Sequence, residues 1–352
     1  MLLGMDMHHG FIEGEKSVED QLKQVKEYGL AGAYFKSPLY ISKTLDKGAL
    51  RYYKQMADEL GIYLDFGVGR VNPYNTNETP WIWELTGGDY RKAMELQILA
   101  GAEMGCRDFI GVTAGWKGSH KGLFVYDRFR TDVDWCDQLA ATAKFLKKLA
   151  PVLRETHTRI DLETHEEITT FEILHLIEEV GEDVLGVAFD TANVVARAEE
   201  PVAVAKRVAP YTHQMHAKDC IVFFSEKGLT RQVKPCGEGL VDFAAIFAIL
   251  MQHDHEMHIQ IEDHKGYMPL NLYEENWLAM HPELELAEVM QLVKDARQFQ
   301  AKQEAGQAPA PDEYEAVPYA AQRVQRLTQS MRHLRSLLAQ YTPDGRNVCD
   351  HG

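Results

Sequence analysis

Eight short apolar runs, each followed by a longer amphipathic stretch, recur through the first 300 residues of the chain. The runs are Leu2–Met7, Ala31–Lys36, Ile62–Val68, Arg107–Thr113, Arg159–Glu163, Val184–Phe189, Tyr211–Ala217 and Met257–Glu262. They have the length of strands. The stretches between them carry apolar residues three or four apart, as at Leu139, Ala143, Leu146, Leu149 and Leu153, which is helix spacing. These helices span Ser17–Tyr28, Lys47–Leu60, Asp89–Gly105, Asp132–Glu155, Thr169–Val180, Pro201–Ala209, Val241–Met251 and Glu283–Gln300. Gly29, Gly61, Gly105 and Gly181 stand where a left-handed cap closes a helix. Strict alternation predicts a parallel sheet covered by helices, and eight strands close a (β/α)8 TIM barrel. A doubly wound open sheet would place a glycine-rich phosphate turn after its first strand; His8-His9-Gly10 is not one.

The barrel accounts for residues 1–300, and residues 301–352 read as a linker plus a C-terminal helical extension. Ala305–Asp312 is rich in Ala and Pro, as linkers are. Tyr319–Tyr341 then presents Val324, Leu327, Met331, Leu334 and Leu338 along one helical face, which must dock on its own barrel or on a neighbour. The last residues, through Gly352, read as frayed.

Charge narrows the partners. The chain has 37 Lys plus Arg against 53 Asp plus Glu, a net −16, with no basic run. That argues against nucleic acid or anionic lipid as the partner. Five cysteines without a CxxC pair argue against a four-thiolate zinc site and for reduced thiols. His8, His9 and Glu13 interrupt the N-terminus before a signal-peptide core forms, and no window holds 18 uninterrupted apolar residues. A cytoplasmic protein without a membrane span is expected.

In a parallel barrel, chemistry sits at the C-terminal ends of the strands. The fifth run ends Asp161-Leu-Glu163-Thr-His165, and the sixth leads into Asp190-Thr-Ala-Asn193. The seventh leads through His216-Ala-Lys218-Asp219, and the eighth into Glu262-Asp-His264. Residues two apart on a strand share a face, so these side chains can enter one bowl. A single strand-end His is commonly structural, and Asp190 before Thr191 also suits a helix cap. Four consecutive strands delivering Glu163, Asp190, His216 and Glu262 point instead to a metal site. Oxygen ligands with one nitrogen suit Mn2+, Mg2+ or Co2+, and a dication relieves the repulsion among three carboxylates.

Other strand-end residues face the same mouth. His8 and His9 follow the first strand, and Lys36 ends the second, placed for a sugar hydroxyl or a phosphate. Trp81, Trp83 and Trp116 lie in loops where aromatic faces stack on sugars or simply pack. Arg70, Lys117, His120 and Arg128 are placed to orient an anionic substrate, and Gly237-Glu-Gly239 reads as a tight turn.

The stretches IDLETHE (160–166), GVAFDTANV (186–194), HQMHAKD (213–219), PCGEGLVDFAAIF (235–247) and IQIEDH (259–264) resemble the sugar-phosphate isomerase/epimerase superfamily, the xylose-isomerase-like barrels. The likeness covers roughly residues 1–300 and leaves the extension outside it. It implies a divalent ion, Mn2+ first, held by Glu163, Asp190, His216 and Glu262. It further implies a sugar isomerase or epimerase in which Glu163 and Glu262 exchange protons with a carbohydrate through an enediolate. Beyond that pattern, His165 and His264, each two residues past one of these glutamates, are extra imidazoles available as acid/base groups. The sequence departs from many of these epimerases in carrying Asn193 where they have His and Lys218 in place of an Arg. Asn193, Lys218 and His264 therefore join His8, Lys36 and Trp116 as expected substrate contacts. The chain is also similar to the barrel subunits of deglycosidases that open 3-oxo-glycosides by enolisation and elimination, which Glu163-Thr-His165 suits. The superfamily's abasic-DNA endonucleases need more metal ligands and a basic face, and neither is here. As for assembly, the resemblance implies a homo-oligomer, or pairing with a second, small subunit.

Overall fold

The computed structural model describes residues 1–8, 10–11, 16–114, 128, 133–254 and 256–341. Its strands in chain order are β1 (Leu2–Asp6), β2 (Gly32–Phe35), β3 (Tyr63–Arg70), β4 (Asp108–Val112), β5 (Arg159–Glu163) and β6 (Leu185–Asp190). They continue with β7 (Thr212–Ala217), β8 (Asp219–Ser225), β9 (Gly228–Lys234), β10 (His258–Ile261) and β11 (Tyr267–Leu270). Eight of them close a parallel barrel in the order β1-β10-β7-β6-β5-β4-β3-β2. All eight coincide with the runs read from the sequence, within a residue or two at their ends.

Local signals start and stop the helices as physics requires. Thr169 caps Thr170–Val180 and forms a reciprocal capping box with Glu172, while Asp46 caps Lys47–Leu60. That second helix closes on Gly61, whose φ of 68° suits a residue without Cβ.

One feature departs from simple alternation. β8, β9 and β11 form a separate antiparallel sheet in the order β11-β9-β8. The apolar stretch Cys220–Phe224 therefore belongs to a hairpin, and the seventh helix is delayed until Phe243. This sheet packs against the helix Leu286–Glu304.

The lower barrel is filled by paired polar groups. The Asp65 carboxylate lies 2.9 Å from His258 Nδ1 and accepts from Gln260 at 2.6 Å. Across the barrel Asp161 faces His213 Nδ1 at 3.0 Å and accepts from Gln214 at 3.2 Å. Burial pushes the Asp161 carboxyl up to about 6, with His213 opposing the shift. Each buried acid thus has an imidazole and an amide in place of water.

The extension docks on its own barrel. After Leu286–Glu304 come the helices Pro311–Ala316 and Tyr319–Leu338, so the expected linker is in part helical. Leu327, Met331 and Leu334 are buried as expected, whereas Val324 is exposed. A polar clasp adds to them. Arg326 makes two hydrogen bonds to the Asp263 carboxylate, at 2.7 and 2.6 Å, and one to the His264 carbonyl at 2.9 Å. Both members of the pair are nearly sealed from solvent. The Tyr319 hydroxyl donates to the Asp263 carbonyl at 2.8 Å, and the Cys236 amide donates to Ser330 Oγ at 2.9 Å.

Among the described residues, no helix is long and apolar enough to cross a membrane. Cys106, Cys136, Cys220 and Cys236 are free thiols, and Cys349 lies outside the described residues.

Removing one partner of a buried ion pair strands the other charge, at about 3–5 kcal/mol. Arg326→Met is therefore expected to lower unfolding free energy by that order in a urea titration, with Arg326→Lys losing less. A midpoint unchanged from wild type would show that the clasp carries no stability.

Candidate metal centre at the barrel mouth

The register of the barrel brings four side chains to one level. Asp190 pairs with His216 across β6 and β7, and Gln260, two residues before Glu262, pairs with His216 across β7 and β10. Glu163 ends β5 beside Ala188 of β6. Glu163, Asp190, His216 and Glu262 each offer one ligand atom, and these atoms all lie within 4.8 Å of one another. The quartet read from the sequence is thus gathered in space.

The donor atoms pass a test for a cation. Asp190 Oδ2, Glu262 Oε2 and both ring nitrogens of His216 are buried and make no aligned hydrogen bond. His216 Nδ1 approaches Glu262 Oε2 at 3.0 Å and Glu163 Oε1 at 3.5 Å without the geometry of a bond. Buried polar atoms left this way are costly unless something else completes them. The other Asp190 oxygen accepts from the Ala192 and Asn193 amides at 3.0 and 2.9 Å. Asp190 therefore caps the turn with one oxygen and offers the other inward, so both readings of this residue hold.

Lys218 is the local counter-charge. Its Nζ lies 2.7 Å from Asp190 Oδ2 and 3.1 Å from Glu262 Oε1. Burial disfavours the ammonium, but Asp190 and Glu262 hold its pKa above the ordinary lysine value. Burial also drives the Asp190 carboxyl up to about 6, against the pull of Lys218. For Glu262, burial is outweighed by Lys218 and His216, which keep it well below the usual range. Three carboxylates against one ammonium leave the cluster negative, as a dication bound to a neutral imidazole would require.

Glu163, His216 and Glu262 line a chamber of about 240 Å3 whose walls also include Asp6, His8, Tyr34, Lys36 and His165, while Asp190 is fully buried and does not line it. His8 and Lys36 thus face the mouth as expected. His165 is held by Glu167 through Nδ1, and Glu167 in turn accepts from the Thr113 hydroxyl at 2.5 Å and the Ala114 amide at 2.8 Å. Burial opposes a charged imidazole here, yet Glu167 and Glu166 push its pKa up to about 10.

Asn193, Lys218 and His264 do not wall the chamber. Asn193 stands behind the quartet, accepting from Lys218 at 3.3 Å and from Arg231 at 3.0 Å. His264 contacts the Lys265 carbonyl at 3.0 Å. Trp116, Lys117, His120 and His9 lie outside the described residues. Trp83 packs against Tyr90 and donates its indole N–H to the Thr76 carbonyl at 3.2 Å. Arg128 is corrected: it is buried, bonded to both Glu172 oxygens at 2.9 and 2.7 Å, and so serves the scaffold. Gly237 and Gly239 do form a turn, and their amides cradle the protein's own Asp219 carboxylate at 2.9 Å each.

Asp6, Glu166, Glu167 and Arg231 escaped the sequence reading. Glu166 and Glu167 follow His165 directly in the motif, so a run of three ionisable residues at a strand end was the available signal. Arg231, which binds Glu166 at 2.8 Å, comes from the hairpin that alternation did not anticipate.

A sequence-family model described as a xylose isomerase-like TIM barrel matches residues 22–296. The chain spans less than half the length of the curated relatives it matches. One is a 3-oxo-isoapionate decarboxylase of Pectobacterium atrosepticum, 26% identical over 121 residues, 34% of this chain and 44% of that protein. Among solved structures, a xylose isomerase-like TIM barrel protein from Mycobacterium smegmatis in complex with magnesium aligns with a TM-score of 0.58 and 15% identity. That alignment covers 82% of this chain and 97% of the other. D-psicose 3-epimerase with D-tagatose from Clostridium cellulolyticum aligns with a TM-score of 0.56 and 14% identity, covering 84% and 99%. At these identities the structural likeness concerns the fold.

Metal-stripped protein is expected to bind one Mn2+ per chain in a calorimetric titration. His216→Ala and Asp190→Asn should each weaken that binding by about 100-fold or more, since even outer-sphere changes cost 10–100-fold. Wild-type affinity in both variants would remove the quartet as the site.

Proposed function

The chain belongs to the xylose isomerase-like TIM-barrel family, and on that footing we propose that it is a divalent-metal-dependent sugar isomerase or epimerase. The observation that carries this reading is the gathering of Glu163, Asp190, His216 and Glu262: Asp190 Oδ2, Glu262 Oε2 and both His216 ring nitrogens are buried without an aligned hydrogen bond, and Glu163, His216 and Glu262 line the chamber. Those four residues would hold the ion, with Mn2+ favoured and Mg2+ or Co2+ suitable by the same ligand chemistry. Bound there, a divalent ion supplies electrophilic stabilisation of the negative charge that develops on a substrate carbonyl oxygen.

The protein's own groups handle the proton. Glu163 and Glu262 come from strands three positions apart around the barrel and approach the chamber from different sides. One removes the proton next to the carbonyl, and the other returns it from the opposite face of the resulting enediolate. Return to the same carbon inverts it; return to the neighbouring carbon moves the carbonyl. Lys218 fixes Glu262 through its ion pair, and Glu167 fixes His165 on the chamber wall. His165 is then placed to exchange a proton with a substrate oxygen.

That same dyad supports a second reading, cleavage of a 3-oxo-glycoside, in which His165 protonates the departing oxygen after enolisation. Carbohydrate substrates accord with the epimerase among the structural neighbours, and a 3-oxo sugar acid with the decarboxylase relative. The active form we infer is a homo-oligomer, or a barrel paired with a second, small subunit.

Chelation should abolish activity and Mn2+ or Co2+ restore it, with elemental analysis confirming removal. Glu262→Gln should reduce exchange of substrate C–H with solvent deuterium by about 10²–10⁴-fold, the range for a lost acid/base group. Wild-type exchange in a folded Glu262→Gln protein would take Glu262 out of that role. Release of a free aglycone from a 3-oxo-glucoside would select the second reading.

A further inference from the structure

Two aromatic side chains serve two cavities at once. Tyr40 and Trp81 line the chamber of the metal-type quartet and also a wider groove of about 590 Å3 outside it. Tyr40 follows β2 and Trp81 follows β3, which are neighbours in the barrel, so the two residues stand on one side of the mouth. The groove is completed by Leu39, Lys43, Glu84 and Leu85. Its walls are mainly apolar, whereas those of the chamber set Asp6, Lys36, Arg70, Glu78, Glu163 and Glu262 among apolar residues.

Neither ring is used by the fold as its neighbours are. Tyr40 is 49% exposed and Trp81 42% exposed. Among the described residues neither the Tyr40 hydroxyl nor the Trp81 indole N–H makes a hydrogen bond, whereas Trp83, two residues on, spends its N–H on the Thr76 carbonyl. An apolar face with an unused polar tip, at the rim of a polar pocket, is the pattern of a surface completed by a ligand. Size agrees with this. The chamber, at about 240 Å3, falls below the roughly 300–1,000 Å3 of whole-ligand sites, and the groove supplies the missing room.

We propose that this groove is a subsite for an aromatic aglycone, so that the substrate is a 3-oxo-glycoside whose oxidised sugar, carrying the carbonyl the reaction needs, enters the chamber while its aglycone lies against Tyr40 and Trp81. The inference rests on the proposed sugar chemistry and specifies its substrate class. A free monosaccharide would fill the chamber and leave the groove unused. A second copy of the chain is the competing occupant, but continuity with the chamber favours a group covalently attached to what the chamber holds.

The test uses the full-length, Mn2+-loaded protein and calorimetric titration with phenyl and methyl β-D-glucopyranosides and their 3-oxo forms. In at least one pair the phenyl member should bind about tenfold more tightly, as stacking on two aromatic faces allows. Trp81→Ala and Tyr40→Ala should each bring the phenyl-to-methyl ratio to within about twofold of one. Equal affinities in wild type, no binding of any phenyl glycoside, or a ratio that survives both substitutions would overturn the proposal. So would a dimer in sedimentation velocity that dissociates on Trp81→Ala, which would give the groove to a second copy. Solvent-deuterium exchange on free ketoses separates the two ideas. Exchange without a phenyl preference sinks the aglycone subsite alone, whereas a phenyl preference with no exchange on any sugar sinks the proposed reaction alone.

Discussion

Three carboxylates converge at one barrel mouth, with ligand atoms of the quartet within 4.8 Å of one another, and the surrounding structure makes that convergence tolerable. At such separations in a buried setting, acids left to themselves take up protons. Lys218 prevents this for Glu262 by sitting between it and Asp190, sealed from water. The bargain is mutual, since the same carboxylates keep a buried ammonium charged. Behind it Asn193 and Arg231 fix the geometry, and Arg231 adds a second buried pair with Glu166. Lys218 balances only part of the negative charge of the three carboxylates.

The extension belongs to this arrangement. Asp263 stands between Glu262 and His264, and Arg326 grips both its carboxylate and the next carbonyl. The same helix reaches the turn after β9, where a Cβ on Gly237 would strike the His333 ring. That turn in turn wraps Asp219, the residue after Lys218. Two of the strands that supply the site are therefore braced from outside by a segment that the family resemblance leaves out.

The barrel was legible because its strands are buried by neighbours and helices, which writes short, partly apolar runs into the sequence at the rhythm set by the intervening helices. The quartet was legible for the opposite reason: an acid at the end of such a run has no packing purpose. What remained hidden depends on pairing across distance. The β8-β9-β11 sheet interrupts the rhythm with strands whose partners are antiparallel and partly 30 or more residues away. Glu167 stands in plain view beside His165, but its hold on the ring needs the loop geometry. Arg326 lies 63 residues from Asp263 on a helix whose apolar stripe explains its existence without it. Arg128 read as a free cation on a loop and proved to be a buried strut.

Residue type and proximity alone would nominate a second site. At the opposite end of the barrel Asp108, Asp161 and His213 also bring ligand atoms within 4.8 Å of one another. There, however, Asp108 accepts from Arg159 at 2.8 Å, and the two Asp161 oxygens are taken by His213 at 3.0 Å and Gln214 at 3.2 Å. Each of these carboxylates has its partner, although the amide oxygen of Gln214 beside them is buried without one. At the mouth the same kinds of atoms approach one another and stop short of bonding. A buried group left incomplete in this way is costly to the fold, and such cost persists where function requires it. What separates the two clusters is therefore the bonding of their ligand atoms: at the mouth both His216 nitrogens and one oxygen each of Asp190 and Glu262 lack an aligned hydrogen bond, whereas below both Asp161 oxygens and one of Asp108 have one.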